Sequence, residues 1–395
     1  MAREAIDARL MPLPIEWRPL SECIGQILRQ DVFAERDNPP FDRVCMDGIA
    51  IRSKDFERGL RQFQIEATQP AGTPALQLSP GENAIEVMTG AMMPRGTDCV
   101  IPLEEYDIAA GTVSLLDSAS GGAFRNIQRR GSDSAPGVPM LKAGTRLRSP
   151  EIAVVASAGL AEVSVSRHPS VMVISTGDEL VEPGEPILEH QVRRSNAYAV
   201  VAALHEHGFE HVGSDHILDK EAMLQERLAQ HLAERDVVVL SGGVSKGKFD
   251  FVPKALKSLE VEEVFYQVAQ RPGAPMWFGI GPRGQAVFGL PGNPVSTLMC
   301  LIRYVIPALH RAMGIHEAVS EPIGLASALN LGRKSMASFV PVTIQYDARG
   351  ARSARHHTPN GSGDFLSLAA TDGFIELPPR ADVFPEGFVG DLYRW

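Results

Sequence analysis

The stretch VVVLSGGVSKGKFDFVPKALKSL (237–259) decides how this chain is read. Residues 237–241 form an apolar run too short for a stable helix and without polar alternation. A strand covered on both faces, inside a parallel sheet, has this pattern. Gly242 and Gly243 end the run, and 250–259 then shows helical spacing. Strand, glycine loop and helix together make one βα unit. Working outward, 171–176 and 285–290 read as further buried strands, and 211–217, 263–269 and 275–280 as additional ones. Segments 196–208, 220–236 and 294–314 read as helices. Alternation of this kind predicts an α/β domain with a mostly parallel sheet.

The flanks read differently. Residues 2–35 suggest one or two short helices, broken by Pro39 and Pro40. Short strand-like runs punctuated by Gly and Pro follow at 48–52, 63–67, 83–89 and 98–106. A helix and then a strand follow between 144 and 165, and short strands and turns return after 317.

Composition narrows the function classes. The net charge of −10 argues against a nucleic-acid binder, whose footprint is basic. The four cysteines make no CxxC pair, which argues against a disulfide framework or a thiolate zinc site. No apolar run approaches 18 residues, and the first residues lack a signal-peptide pattern. A cytoplasmic protein is expected.

Three loops each follow an apolar strand: Thr176-Gly177-Asp178-Glu179, the segment 242–250, and Pro291-Gly292-Asn293-Pro294. In an open parallel sheet such loops lie on one edge, where ligands bind. Gly242, Gly247 and Lys248 match GxxxxGK, but Phe249 replaces the Ser or Thr that would hold magnesium. A nucleoside-triphosphatase is therefore disfavoured. A glycine nest for a phosphate and a plain tight βα turn both remain open. Asn293 and Pro294 suit an N-cap and first helical position. Asp178 and Glu179 suit a divalent cation beside a phosphate, with a solvated acidic turn as the alternative. Gly279, Gly281 and Gly284 fit a dinucleotide fingerprint, but a strand follows them, so they read as a hairpin turn. His205, His207 and His211 read as solvated, because Gly208 ends the helix between them.

These loops, in this order, resemble the MoeA family, the molybdopterin molybdenumtransferases, which includes the gephyrin E domain. The match rests on STGDEL (175–180), SGGVSKGKFD (241–250) and GLPGNPVS (289–296). PPFDRVCMDGIAIR (39–52), VMTGAMMPRGTDCVIPLEE (87–105), NIQRRGSDSAPG (126–137), 143–163 and GSGDFLSLAATDGFIELP (361–378) extend it over nearly the whole chain. The resemblance implies a discontinuous N-terminal domain (1–36 and 136–168) and an inserted β-rich domain (37–135). It also implies an α/β molybdopterin-binding domain (169–316) and a C-terminal β-barrel (317–395).

It further implies a homodimer whose active site is shared between subunits, and magnesium-dependent insertion of molybdate into adenylylated molybdopterin with release of AMP. The upstream molybdopterin adenylyltransferase is an implied partner; nucleic acid and membrane are not. Carried over by motif, the catalytic residues are Asp47, Thr89, Asp133, Glu179, Asp219 and Asp250. The cofactor-binding set is Thr176, Gly177, Ser241, Gly242, Gly243, Ser245, Gly247, Arg271, Pro291, Gly292, Asn293 and Pro294. Asp178, Glu179 and Asp250 are the implied metal ligands. Gln267 and Ala274 stand where the family often has lysines, leaving Arg271, Lys246 and Lys248 to hold an oxyanion. A paralogue that binds the pterin without inserting metal, and a dimeric scaffold, are the alternatives.

Overall fold

The computed structural model describes residues 1–243, 251–315, 320–332, 335–358, 360–361, 363–379 and 383–395. At its centre is a six-stranded sheet. Its strands are β1 (Val171–Thr176), β2 (Val212–Ile217), β3 (Val237–Ser241), β4 (Glu262–Tyr266), β5 (Trp277–Ile280) and β6 (Ala286–Leu290), in the order β2-β1-β3-β6-β5-β4. The β2–β1, β1–β3 and β3–β6 pairs are parallel. β5 pairs antiparallel with both β6 and β4. Helices α1 (Ser195–Glu206), α2 (Glu221–Glu234), α3 (Val252–Ser258) and α4 (Pro294–Cys300) cover it.

Alternation along the strands divides the core. Val171, Val173, Val237 and Val239 face one layer with Val200 and Leu204 of α1 and Met299 of α4. Met172, Ile174, Val238 and Leu240 face the other with Leu224 and Leu228 of α2 and Leu256 of α3. Both faces are therefore apolar, as the unbroken run at 237–241 requires.

Inserted between the two N-terminal pieces is a second six-stranded sheet. Its strand order is Cys99–Pro102, Gly48–Ile51, Asn83–Val87, Gln62–Gln69, Thr112–Leu115 and Tyr106–Ala109. Gly48 is needed for close packing there: a Cβ would lie 2.0 Å from the Ile101 carbonyl oxygen. Near the C-terminus five strands close into a barrel. They run Ala337–Tyr346, Arg352–His356, Glu321–Leu325, Val389–Arg394 and Gly373–Leu377, and the last pairs back onto the first. Gln270–Arg271 pairs in parallel with Ala337–Ser338, joining the α/β segment to this barrel. The partly buried Arg303–Glu376 ion pair adds a second link, with Nε 2.6 Å from the carboxylate. Among the described residues no helix is long and apolar enough to cross a membrane.

Three local expectations need correction. The N-terminal segment holds the short helix Ala2–Asp7 and a 3-10 turn, Leu20–Glu22, but also an unexpected strand, Ile15–Pro19, between them. That strand pairs antiparallel with Glu162–Ser166, a partner invisible to local pattern. The strand expected at 263–269 ends at Tyr266, because Gln267 adopts φ +74°. The helix expected at 294–314 is interrupted by a π-helical turn at Leu301–Val305. Pro307 has no N–H to donate four residues back, and the wider turn accommodates this. The turn at 281–284 is a hairpin between β5 and β6, closed by Gly281 N–H donating to the Gln285 carbonyl at 2.8 Å. His205 and His207 lie within hydrogen-bond reach of the Phe209 and Ala203 carbonyls through Nδ1, which occupies both at the helix end.

His310 packs its ring on Phe209 with centroids 5.1 Å apart, and its Nε2 lies 3.0 Å from the His207 carbonyl. Burial pushes its imidazole down from 6.5 to about 4. A depressed histidine pKa means that stability is complete above the unfolded value and drains as pH falls toward the folded one. Between those values the wild type should lose about 3 kcal/mol relative to His310→Gln. Denaturant unfolding of both proteins at neutral and acidic pH checks this; parallel pH dependences would contradict it.

Candidate functional site

The loops after β1, β3 and β6 converge at the carboxyl edge of the sheet, since these three strands are adjacent and parallel. The contact is close. Gly242 and Gly243 have φ of +96° and +67°. A Cβ on Gly243 would lie 2.7 Å from Val252 Cγ2 and 2.8 Å from Thr176 Oγ1, and one on Gly242 3.1 Å from the Thr176 carbonyl oxygen. Only glycine allows the first two loops to touch in this way. Asn196 of α1 ties in the third. Its Nδ2 reaches the Ser241 hydroxyl (3.0 Å), the Gly292 carbonyl (2.8 Å) and the Thr297 hydroxyl (3.3 Å).

Of the expected ligand residues, Thr176, Glu179, Ser241, Gly242, Gly292 and Pro294 line one cavity of about 410 Å³. Gly177 and Gly243 belong to the same loops. The Glu179 carboxylate lies over Gly177, where a Cβ would meet it at 2.5 Å. Four buried polar atoms of cavity-lining residues lack a hydrogen-bond partner among the described residues: Ser175 Oγ, Thr176 Oγ1, Arg194 Nε and Asn196 Oδ1. Buried polar groups are ordinarily paired, so this concentration makes the cavity a candidate site for a polar ligand.

Arg271, Pro291 and Asn293 line a second cavity of about 710 Å³ between the α/β segment and the barrel. The loop 291–294 is thus a wall shared by both cavities. The turn carrying Arg271 is fixed from beneath by buried Gln270. Its amide oxygen accepts from the Tyr304 hydroxyl, and its Nε2 lies 3.2 Å from both the Gly273 carbonyl and Cys300 Sγ. Tyr304 stands on the π-helical turn. Asn293 precedes α4, but its side chain makes no capping bond, contrary to expectation. Its carbonyl instead accepts from Thr297 N–H at 2.9 Å.

The remaining acids fall into separate groups. Asp178 Oδ1 accepts the Asp219 N–H at 3.0 Å, which brings those two together as a loop brace. Asp47 and Thr89 meet on the inserted sheet. Asp47 Oδ1 accepts the Thr89 N–H at 2.6 Å and its hydroxyl at 2.8 Å. These bonds, the backbone one first, hold the Asp47 carboxyl below the usual carboxylate range. Asp133 accepts from Gln128 Nε2 at 2.9 Å and Ser132 Oγ at 3.0 Å. Among the described residues Asp47, Thr89 and Asp133 share neither a hydrogen bond nor a cavity with the α/β loops. No three His, Cys, Asp or Glu side chains converge on a metal position among the described residues. Ser245, Gly247 and Asp250, with Lys246 and Lys248, lie outside the described residues.

Sequence reasoning missed Asn196, Arg194, Ser175 and Gln270. A signal existed for the first two. A helix that follows a parallel strand starts at that strand's carboxyl edge, so Arg194, Ser195 and Asn196 had to lie near the loops. Gln270 had none, because its partners are 30 and 34 residues away.

Comparison with known proteins agrees with this architecture. Residues 1–159 match the MoeA N-terminal region (domain I and II). Residues 172–311 match the family described as "Probable molybdopterin binding domain", and 327–392 match the MoeA C-terminal region (domain IV). The chain is 36% identical to a molybdopterin molybdenumtransferase of Synechocystis sp. over 94% of this chain and 93% of that protein. It is 31% identical to one from Staphylococcus epidermidis, over 94% and 89%. A crystal structure of a molybdopterin biosynthesis MoeA protein from Pyrococcus horikoshii aligns with a TM-score of 0.80 at 29% identity, covering 100% of this chain and 97% of that one.

Two substitutions test the geometry. Gly243→Ala forces a Cβ into Thr176 and Val252 at positive φ, and should lower stability by about 1–3 kcal/mol in thermal or denaturant unfolding. Thr89→Val removes one donor to Asp47, whose pKa should rise toward the ordinary carboxylate value in a carboxyl NMR titration. An unmoved pKa would show that the hydroxyl contributes nothing.

Proposed function

The chain belongs to the MoeA family of molybdopterin molybdenumtransferases, and from that premise we propose that it inserts molybdate into adenylylated molybdopterin and releases AMP. The observation that carries this reading is the pair of cavities divided by residues 291–294. The smaller one offers hydroxyls at Thr176 and Ser241 and glycine backbone at Gly242, suited to a phosphate-bearing pterin. The larger one carries the Arg271 guanidinium, whose planar fork suits an oxyanion such as molybdate. Gln270 holds that turn in place from below. Ala274, beside it, removes a possible second cation. This favours a weaker oxyanion site and, with Gln267 at the other position where the family often has a lysine, stands behind the rival reading, a pterin binder that does not insert metal.

Magnesium fits the donor chemistry of the smaller cavity. The ion is usually held by one or two carboxylates with substrate phosphates and water, not by an all-protein cage. Glu179 lines the cavity and would hold it, while Asp178 is engaged with Asp219; Asp250, outside the described residues, would be a further ligand. When bound, magnesium neutralises charge on a phosphoanhydride. In this reading the chain's own groups do the positioning: hydroxyls and glycine backbone hold the phosphates, and Glu179 keeps a fixed negative charge at their edge.

The proposal includes a homodimer in which the inserted domain of one subunit faces the α/β loops of the other. Asp47 and Thr89 are exposed and paired with each other, consistent with a role toward a partner. Exposed Ile15 and Trp17 on the strand Ile15–Pro19, with exposed Ile24, offer apolar surface for self-association. A cytoplasmic setting, the adenylyltransferase as supplier of the substrate, and domain divisions at 36/37, 135/136, 168/169 and 316/317 complete the reading.

A reconstituted assay with adenylylated molybdopterin, magnesium and molybdate tests it. Molybdate-dependent AMP release is expected; pterin binding without AMP release would support the rival. Glu179→Gln should lower turnover by about 100-fold while circular dichroism stays unchanged. Asp47→Asn should do likewise. Mixing the two inactive proteins under subunit exchange should restore activity, since one site of each mixed dimer is then intact. A monomeric mass, or no rescue on mixing, would count against the shared site.

A further inference from the structure

We infer that Arg194 reads the phosphate oxygens of the ligand in the 410 Å³ cavity; the inference rests on the phosphate-bearing reading of that cavity given above. Arg194 immediately precedes α1 and is 7% exposed. Its Nη1 pairs with Glu182 Oε1 and its Nη2 with the Ser214 hydroxyl. Its Nε is buried with no partner among the described residues. A guanidinium presents its N–H groups in a fixed fork and cannot shed its proton. A buried unpaired N–H on such a group is costly unless a ligand satisfies it.

The surroundings indicate what that ligand carries. Ser175 Oγ, Thr176 Oγ1 and Asn196 Oδ1, from residues on the same cavity wall, are likewise buried and unpaired. The hydroxyls can donate, as Arg194 Nε can, so three donors await an acceptor with several oxygens. A phosphate group has them, and exclusion from water strengthens its attraction to the guanidinium. The N-terminus of the twelve-residue helix α1 adds its own preference for an anion.

Fold support alone does not account for Arg194. The neighbouring Arg193 already braces this stretch of chain, its Nη1 donating to the Glu182 and Glu185 carbonyls at 2.8 and 2.7 Å. Glu182 is 40% exposed at its side chain, and its second oxygen accepts from the Tyr198 hydroxyl at 3.0 Å. It competes with the ligand for the same guanidinium. Removing its charge therefore frees Arg194, whereas removing Arg194 abolishes the phosphate contact. A purely structural ion pair makes the opposite demand, with both substitutions harmful alike.

The phosphate can be the monoester of the pterin or that of the adenylate. Anaerobic titration of the full chain with molybdopterin and, separately, with AMP distinguishes them. Arg194→Gln should weaken binding of the ligand whose phosphate it holds by about tenfold or more, leaving the other within about twofold. Arg194→Lys should fall between, keeping charge and losing the fork, and it decides the matter if Arg194→Gln does not fold. Glu182→Gln should bind equally or more tightly. The inference is overturned if both ligands keep their affinity in the arginine variants, or if Glu182→Gln and Arg194→Gln weaken binding alike. Thr176→Val separates the two levels. Loss of binding there with Arg194→Gln unaffected overturns the arginine assignment alone. Indifference of both variants removes the cavity reading as well.

Discussion

The approach of Gly242 and Gly243 to Thr176 is the contact on which the rest of the site depends. With Cβ positions only 2.7–3.3 Å from Val252 and Thr176 atoms, the loop after β3 can lie against the loop after β1 only as glycine. Because it does, Ser241 faces Asn196, and Asn196 reaches across to the Gly292 carbonyl. One amide then ties the end of β3 to the loop after β6 and to Thr297 of α4. The hydroxyls left without partners are those at the centre of this junction. Tight backbone contact and unpaired polar atoms in one place are what a preorganised anion site needs.

A second constraint couples the sheet to the barrel. Gln270–Arg271 extends from the α/β segment to pair with the barrel strand Ala337–Tyr346, and Arg303 reaches Glu376 nearby. Phe339, Phe374 and Tyr393 of the barrel belong to the same core as α4. The cavity holding Arg271 is consequently bounded by two folding units, and its shape follows from their packing. The buried Gln270–Tyr304 contact places the π-helical turn at this same joint.

Much of this was legible in the chain itself. The run 237–241, flanked by glycines and a helical segment, required a doubly covered strand; its neighbours lie at 171–176 and 285–290, with 211–217 one strand further out. The loops at 176–179, 242–243 and 291–294 were placed on one edge by the rule for parallel sheets, and they meet there. Short-range chemistry was less secure. The N-terminal strand Ile15–Pro19 needs Glu162–Ser166 to exist, and Asn293 heads its helix without capping it. The start of α1 at the carboxyl edge pointed to Arg194, but its burial and its unpaired Nε are visible only in the folded chain.

The sequence by itself determined most of the elements, their order and the loops that carry the cavity-lining residues, because apolar periodicity and glycine and proline placement act over a few neighbours. Tertiary structure alone decided which groups share a cavity. It set Thr176, Ser241 and Arg194 around one space and Arg271 around another, and it paired Asp47 with Thr89 on a different sheet. It also spent Asp178 on Asp219 while leaving Glu179 at the cavity wall. Adjacent carboxylates look alike in a sequence. Their fates differ because hydrogen-bond partners and burial are set by chain segments far away.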